Sequence, residues 1–188
     1  SDSLQSAIFV LTTSDSVALI NTTSPGGWKV KLSFTPAFSP LAMYHTTGLR
    51  WDLAAVGSGG EVALLNPSDG SYRPGFPLNS GITVTAPAAA ADFDHDGRME
   101  LLLTGENRLQ AIASNGALVA NWPLLLDPRY PPTGIQSPPA IATLSNLPNA
   151  LPRVIFGWPN GMVDARDTFG RQAANFPRQT GFTVQSAP

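Results

Sequence analysis

Residues 88–105 read AAAADFDHDGRMELLLTG, and this stretch decides how the chain folds on either side of it. A run of alanines leads into a loop of alternating aspartates and a glycine, and an apolar run ended by a second glycine follows. Short apolar runs on both sides of a polar loop indicate two strands, because an amphipathic helix would need a longer segment with a period of about 3.6 residues. The stretch therefore predicts a strand, a loop and a second strand.

The loop between the two predicted strands has the oxygen donors of a calcium site. Calcium binds about six to eight oxygen ligands, and carboxylates crowded this closely repel one another unless a cation is present. The pattern therefore predicts one Ca²⁺ site. Its ligands, at alternate positions of the loop, are Asp92, Asp94, Asp96, the Arg98 carbonyl and Glu100.

Two other interpretations of the loop stay open at this point. An EF-hand loop begins with the same aspartate spacing, but it closes with a glutamate at about position 12 and lies between helices. Leu103 stands at that position here. A solvated acidic turn without a metal would also use aspartate and glycine, because both residues are common in tight turns.

Composition indicates an all-β domain. The chain has 188 residues, and its 17 glycines and 18 prolines separate short apolar runs. This pattern favours many short strands joined by turns, and no long amphipathic helix is evident. Because the chain contains no cysteine, disulfides and thiolate metal sites are excluded, and stability has to come from packing.

Charge and hydropathy exclude further classes of partner. The formal net charge is −2 and only 13% of the residues are charged, without a cluster of lysines and arginines. We therefore expect no nucleic-acid partner. The longest uncharged stretch, residues 133–152, contains several prolines and polar residues, so we expect no membrane span. Residues 1–3 carry no signal region, as expected of a mature exported protein or an excised fragment.

The chain contains four copies of one unit of roughly 50 residues, a period typical of propeller blades. Each copy has two adjacent strand-like segments, a glycine turn, an aromatic residue and a final Ser-Pro or Ala-Pro step. The small residues that follow this step suit an innermost strand near a crowded axis. The second strand-like segments are residues 16–21, 61–66, 108–113 and 162–167. The aromatic residues are Trp28, Phe76, Trp122 and Phe176.

The repeats predict a single all-β domain over residues 1–188, a β-propeller with four blades of four antiparallel strands each. The C-terminal segment would dock as the inner strand of the first blade in a closed four-bladed ring, which leaves fewer strand edges unpaired than an open arc. The chain could instead be part of a larger propeller, and both arrangements stay open. The repeats span approximately residues 1–36, 37–83, 84–135 and 136–188.

Residues 88–123 resemble the FG-GAP and VCBS type of propeller repeat. In that type, an inner strand runs into D-x-D-x-D-G-x-x-E, and a strand, a hairpin and an N-G…G-W-P tail follow; the tail here ends at Trp122-Pro123. The other three repeats depart from the pattern, so the resemblance implies one calcium site. The ligands that it implies are Asp92, Asp94, Asp96, the Arg98 carbonyl and Glu100.

The resemblance implies an extracellular or periplasmic scaffold that binds proteins or glycans, as in the integrin α-subunit head. We therefore expect a non-catalytic binding module stabilised by calcium. An accessory subunit of a larger complex is one alternative, because the low charge suggests that another chain covers part of the surface. For the partner surface we single out Arg129 and Tyr130, since both residue types are common interface anchors, although their loop would also serve as a stiff connection.

A propeller enzyme, such as a hydrolase or lyase, is the second alternative. Only His45 and His95 can serve as a histidine base, and His95 lies within the predicted calcium loop. Neither a G-x-S-x-G nor an H-E-x-x-H motif occurs in the sequence. We therefore expect no catalytic activity.

Overall fold

The structure is all-β. In the computed structural model, the described residues form strands β1 to β15 and contain no helix that could cross a membrane. For residues 7–11 and residue 21, the backbone alone is described. The described parts of the chain are residues 7–11, 15–21, 27–126, 135, 137–143 and 152–184.

The strands form four antiparallel sheets, in each of which every strand pairs with the next one along the chain. The first sheet contains β1 (Ala7–Leu11), β2 (Ser16–Asn21) and β3 (Gly27–Lys31). The second contains β4 (Leu41–His45), β5 (Arg50–Val56), β6 (Glu61–Leu65) and β7 (Leu78–Asn79). The third contains β8 (Val84–Ala91), β9 (Glu100–Gly105), β10 (Arg108–Ile112) and β11 (Leu124–Leu125). The fourth contains β12 (Ala140–Ala142), β13 (Arg153–Gly157), β14 (Met162–Asp167) and β15 (Arg178–Gln179).

The first sheet has three strands among the described residues, whereas the sequence predicted four for every unit. The second, third and fourth sheets each have the predicted four strands. The inner strand that the C-terminal segment was expected to supply to the first sheet falls on residues 185–188, which lie outside the described residues. The closed four-bladed ring therefore stays a prediction.

Among the described residues, the hydrophobic core consists of three layers, each between two successive sheets. Successive side chains of a strand point to opposite faces, so one strand supplies both layers beside it. In β9, Leu101 and Leu103 enter the second layer and Leu102 enters the third. The first layer includes Val17, Phe34, Leu53 and Leu65, the second Met43, Val56, Leu64 and Val84, and the third Phe93, Trp122, Phe156 and Trp158.

The inner strands lie next to one another, with β8 in contact with both β4 and β12. Alanines fill residues 88–91 at the end of β8, where the sequence predicted small side chains for a crowded inner strand. The pairing of β8 with β9 shifts register between Val84 and Ala89. Pro87 lies within this irregular part. Proline has no N–H to donate, so it does not fit a regular ladder.

The repeated aromatic residues mark the outer edge of each sheet, but not all of them lie within a strand. Trp28 pairs with Leu19 inside β3. Phe76, Trp122 and Phe176 instead come before the outer strands β7, β11 and β15, each joined to its proline by a cis peptide bond. In these three units the pairing of the outer strand begins only after the proline, which cannot donate a hydrogen bond.

The tryptophans of the repeated set contact the next sheet in the same way. The Trp28 indole Nε1 donates to the Pro67 carbonyl at 2.8 Å, and the Trp122 indole Nε1 donates to the Thr168 carbonyl at 3.1 Å. Both acceptors lie in the turn after the third strand of a four-stranded sheet. Gly70 in the first of these turns has φ +74°, and a Cβ there would collide with the Trp28 ring, so this close approach requires glycine.

Candidate metal centre

The loop between β8 and β9 is organised by hydrogen bonds from its own backbone to its aspartates. The Gly97 N–H donates to Asp92 Oδ2 at 2.9 Å, and the Asp96 N–H donates to Asp94 Oδ1 at 3.1 Å. The Arg98 N–H donates to Asp96 Oδ1 at 2.7 Å. Gly97 adopts φ +83°, which glycine reaches without the steric cost of a Cβ. Each aspartate uses one oxygen in these bonds, and in Asp92 and Asp94 this leaves the second oxygen to face a cation.

The structure brings three of the predicted ligands together. Asp92, Asp94 and Glu100 each offer one oxygen, and these oxygens lie within 4.8 Å of one another. Asp96 is not in this group; its exposed carboxylate lies 4.0 Å from the Arg98 Nε. The loop joins two strands, so the EF-hand interpretation is wrong.

Glu100 is the buried member of the group, and only 3% of its surface is exposed. Its Oε2 accepts a hydrogen bond from the Phe93 N–H at 2.7 Å. Asp92 Oδ1 is also buried, and it has no hydrogen-bond partner among the described residues. A solvated acidic turn would expose all of its carboxylates to water, so this interpretation does not fit Glu100.

Burial and the neighbouring acids both raise the pKa of Glu100. Burial, followed by the charges of Asp94, Asp92 and Asp96, raises the pKa of Glu100 to about 7, against the lowering effect of the Phe93 N–H. A carboxylate held in this environment is unfavourable as an anion unless a positive charge is added. The donors are all oxygen atoms, which suits a hard cation such as calcium.

The second sheet shows how the same strand position is neutralised without a metal. The second and third sheets can be aligned through their ladders, because Val56 pairs with Val62 in one and Thr104 pairs with Leu109 in the other. Asp52 precedes Val56 by the same number of residues as Glu100 precedes Thr104, so the two acids occupy equivalent positions. Asp52 is fully buried. Three basic side chains surround it: Arg73 at 2.6 Å from Oδ1, and His45 Nε2 at 3.0 Å and Arg50 at 3.4 Å from Oδ2.

In the fourth sheet, the same register places Arg153 at this position, where its guanidinium lies 3.9 Å from Asp167. Asp52 and Arg153 therefore each have a partner of opposite charge within the chain. Among the described residues, no cationic side chain forms an ion pair with Glu100. A buried acid without a basic partner, beside the unpaired Asp92 Oδ1, is a donor set that fits a cation.

No protein-family model matches the chain, and no curated protein matches it. Solved structures do match. BamB from Moraxella catarrhalis is similar with a TM-score of 0.62 and 16% identity over 99% of this chain and 53% of BamB. BBS1N in complex with ARL6DN, soaked with mercury, is similar with a TM-score of 0.63 and 17% identity over 92% of this chain and 49% of that chain. The lead-soaked form of the same complex is similar with a TM-score of 0.64 and 11% identity over 94% of this chain and 53% of that chain.

BamB and BBS1N are β-propellers, and the likeness extends over nearly all of the four sheets. The chain folds as a β-propeller. Its four sheets are the blades, and the first to fourth blades correspond to the first to fourth sheets. The predicted fold class is confirmed. The chain spans about half the length of the similar structures.

The turn between β4 and β5 of the second blade packs on the acidic loop of the third blade. Thr47 Oγ1 donates to the Asp96 carbonyl at 2.6 Å, and the Thr47 N–H donates to the Gly97 carbonyl at 2.9 Å. Thr46 Oγ1 also donates to the Gly97 carbonyl, at 3.3 Å. A Cβ at Gly97 would collide with Thr47 Oγ1, so the approach of the two blades also requires this glycine.

His45 ends β4 and lies fully buried between the same two blades. Its Nδ1 accepts a hydrogen bond from the Met99 N–H at 2.9 Å, so the proton of the neutral ring is on Nε2, facing Asp52. Burial lowers the pKa of His45, and the negative charge of Asp52 opposes this effect only in part. His95, the other histidine, is exposed in the loop with φ +61°. The sequence offered both as bases but did not reveal the contacts of His45.

A cavity of about 390 Å³ lies beside the loop, between the third and fourth blades. Asp94 and Glu100 line one wall, and Leu118 and Phe169 line another. Leu118 is 53% exposed and Phe169 is 51% exposed, and the Arg171 guanidinium lies 5.0 Å from the centre of the Phe169 ring. This surface was not predictable from the sequence, because it forms only when two blades meet. Arg129 and Tyr130, the predicted partner-binding residues, lie outside the described residues.

Proposed function

We propose that this chain is a non-catalytic, calcium-stabilised β-propeller of the FG-GAP/VCBS type, and that it binds a protein partner outside the cytoplasm. The observation that carries the calcium assignment is the buried carboxylate of Glu100, which has acidic neighbours and no basic partner among the described residues. The loop spacing and the resemblance of residues 88–123 support the same ion. Asp92, Asp94, Glu100, Asp96 and the Arg98 carbonyl would hold it.

Bound calcium would supply positive charge at the loop, which makes its role structural. Sites in extracellular modules have dissociation constants on the order of 0.1–1 mM. At about 1 mM calcium, a dissociation constant of about 0.1 mM would stabilise the folded chain by roughly 1.4 kcal/mol. Because calcium at this concentration is found outside the cytoplasm, the proposed location and the proposed ion support each other.

Substituting Asp94 should make the chain insensitive to calcium. We expect Asp94→Ala to lower the melting temperature by about 3–6 °C in millimolar calcium, since the stabilisation of roughly 1.4 kcal/mol is lost. In excess chelator we expect little or no loss, because removing a repelling carboxylate offsets the loss of its exposed hydrogen bond from the Asp96 N–H. Differential scanning calorimetry in both buffers measures the two shifts.

Glu106→Ala is the matched control for Asp94→Ala. Glu106 is an exposed carboxylate in the turn between β9 and β10, at the opposite end of β9 from the loop, and we expect the same melting temperature as for the wild type in each buffer. An equal loss of stability for Asp94→Ala with calcium and with chelator would refute the metal assignment. Magnesium should stabilise the wild type less than calcium does, because it prefers a smaller octahedral site.

For the partner surface, we propose the cavity between the third and fourth blades. Leu118 and Phe169 are large apolar side chains that remain half exposed there, and Arg171 is stacked on one of them. Exposed apolar patches with a neighbouring arginine are typical of protein-binding sites. One of the similar propellers, BBS1N, was solved in complex with ARL6DN, which supports a protein over a glycan as the partner.

Native mass spectrometry of the chain from its original source, in calcium-containing buffer, tests this part of the proposal. We expect a complex with another protein, and we expect Phe169→Ser to reduce the fraction of chain found in it. Phe182→Ser is the matched control, because Phe182 is 82% exposed and does not line the cavity. A constitutive complex that neither variant weakens would favour the accessory-subunit alternative, and a lone chain that binds glycans would favour a lectin-like role.

A further inference from the structure

His45 contacts the Met99 N–H, a backbone group of the loop that the carboxylates of the loop do not bind. Its Nδ1 accepts a hydrogen bond from the Met99 N–H at 2.9 Å. This N–H and the Arg98 carbonyl belong to one planar trans peptide group, so the two bonds point in opposite directions. Holding the N–H against His45 therefore sets the direction of the Arg98 carbonyl, which is the backbone ligand of the predicted calcium set.

The His45 ring is itself held in place. It is fully buried, and its Nε2 lies 3.0 Å from Asp52 Oδ2, while Arg73 contacts Asp52 Oδ1 at 2.6 Å. Turning the ring by half about the Cβ–Cγ bond would place Cδ2 where Nδ1 accepts from the Met99 N–H, and Cε1 where Nε2 faces Asp52, so both contacts would be lost. The acceptor aimed at the loop is therefore fixed by a network inside the second blade.

Two more peptide groups of the loop are held from the second blade. Thr47 donates to the carbonyls of Asp96 and Gly97. The peptide groups that begin at residues 96, 97 and 98 are therefore all held by the end of β4 and the turn after it. Residues that hydrogen-bond to the ligands of a metal are commonly what orients them. This arrangement spans the boundary between two blades.

We infer that His45 is a positioning residue for the loop of residues 92–100, and that it sets the direction of the Arg98 carbonyl through the Met99 N–H. Thr47 holds the two preceding peptide groups, those of the Asp96 and Gly97 carbonyls, in the same way. The consequence for calcium affinity rests on the proposed function, whereas the contact itself does not. The second blade then determines in part how tightly the third blade binds its cation.

Two measurements on the full chain test this inference. Isothermal titration calorimetry gives the calcium affinity, and NMR hydrogen exchange in excess chelator gives the protection of the Met99 amide. His45→Phe keeps a buried ring without an acceptor, and His45→Asn keeps an acceptor close to the place of Nδ1. We expect His45→Phe to weaken calcium binding about tenfold and to speed exchange of the Met99 amide, and His45→Asn to restore most of both.

Thr47 provides a second pair of variants at an exposed position, where folding is not at risk. We expect Thr47→Val to weaken calcium binding by about threefold, the effect of one hydrogen bond, and Thr47→Ser to bind like the wild type. Unchanged calcium affinity in both His45→Phe and Thr47→Val would overturn the inference, and so would a wild-type Met99 amide that exchanges without protection. A wild type that protects this amide but binds no calcium would overturn the proposed function and leave the positioning contact standing.

Discussion

Asp52→Ala should lower the free energy of unfolding by about 3–5 kcal/mol, the range for removing one partner of a buried ion pair. Asp52 is fully buried and is the common partner of His45, Arg50 and Arg73. Without it, the buried His45 Nε2–H loses its nearest acceptor and two guanidinium groups lose their counter-charge. Urea unfolding followed by circular dichroism measures the loss.

Double substitution separates the ion pair from a general packing effect. Arg73→Ala removes the guanidinium closest to Asp52, and the double variant Asp52→Ala/Arg73→Ala should lose less stability than the two single variants added together. Asp52→Asn keeps the shape of the side chain and should give an intermediate loss. A cost below about 1 kcal/mol for Asp52→Ala, within the range of exposed ion pairs, would contradict the assigned role.

Trp122→Ala should cost about 3–5 kcal/mol, because it empties a large volume of the third layer. The Trp122 ring is 6% exposed and stacks on Phe93 with ring centres 5.5 Å apart, and its Nε1 donates to the Thr168 carbonyl in the fourth blade. The side chain therefore joins two blades by packing and by a hydrogen bond. Thermal and urea unfolding both measure the effect.

Trp122→Phe distinguishes the two contributions of this residue. Phenylalanine keeps an aromatic ring against Phe93 but loses the N–H, so we expect a loss of about 1–2 kcal/mol, mainly from the unpaired Thr168 carbonyl. Phe182→Ala, at an 82% exposed ring, is the control and should leave stability nearly unchanged. If Trp122→Ala proved as mild as this control, the third layer would not be the core of the interface between the blades.

The strands were predictable because their determinants are local. The repeated segments 16–21 and 162–167 coincide with β2 and β14, and the segments 61–66 and 108–113 extend one residue beyond β6 and β10. Alternating burial and turn residues act within a few positions of the chain, and the repeat provides the same information several times. The loop of residues 92–100 was recognisable for the same reason, since its donors are contiguous.

The network around the loop was not predictable, because it depends on how two blades meet. Residues 45 and 99 are far apart in sequence, and nothing in the spacing of His45 indicates a bond to the Met99 N–H. One signal was present but unused: in repeat register, Asp52 stands where Glu100 stands in the next unit. An arginine stands two residues before each of these acids, at Arg50 and Arg98, so only the structure shows that Arg50 pairs with Asp52 whereas Arg98 lies by Asp96.

The layered core also determines how disturbances spread through the molecule. A blade that packs mainly against the blade before it and the blade after it makes stability a sum of nearest-neighbour terms, as in a stacked array. The loop of residues 92–100 and the turn that holds it both border the middle layer. Along the described layers, fraying that begins in the first blade disrupts the second blade before it reaches the loop, so this packing protects the site from unfolding that starts there.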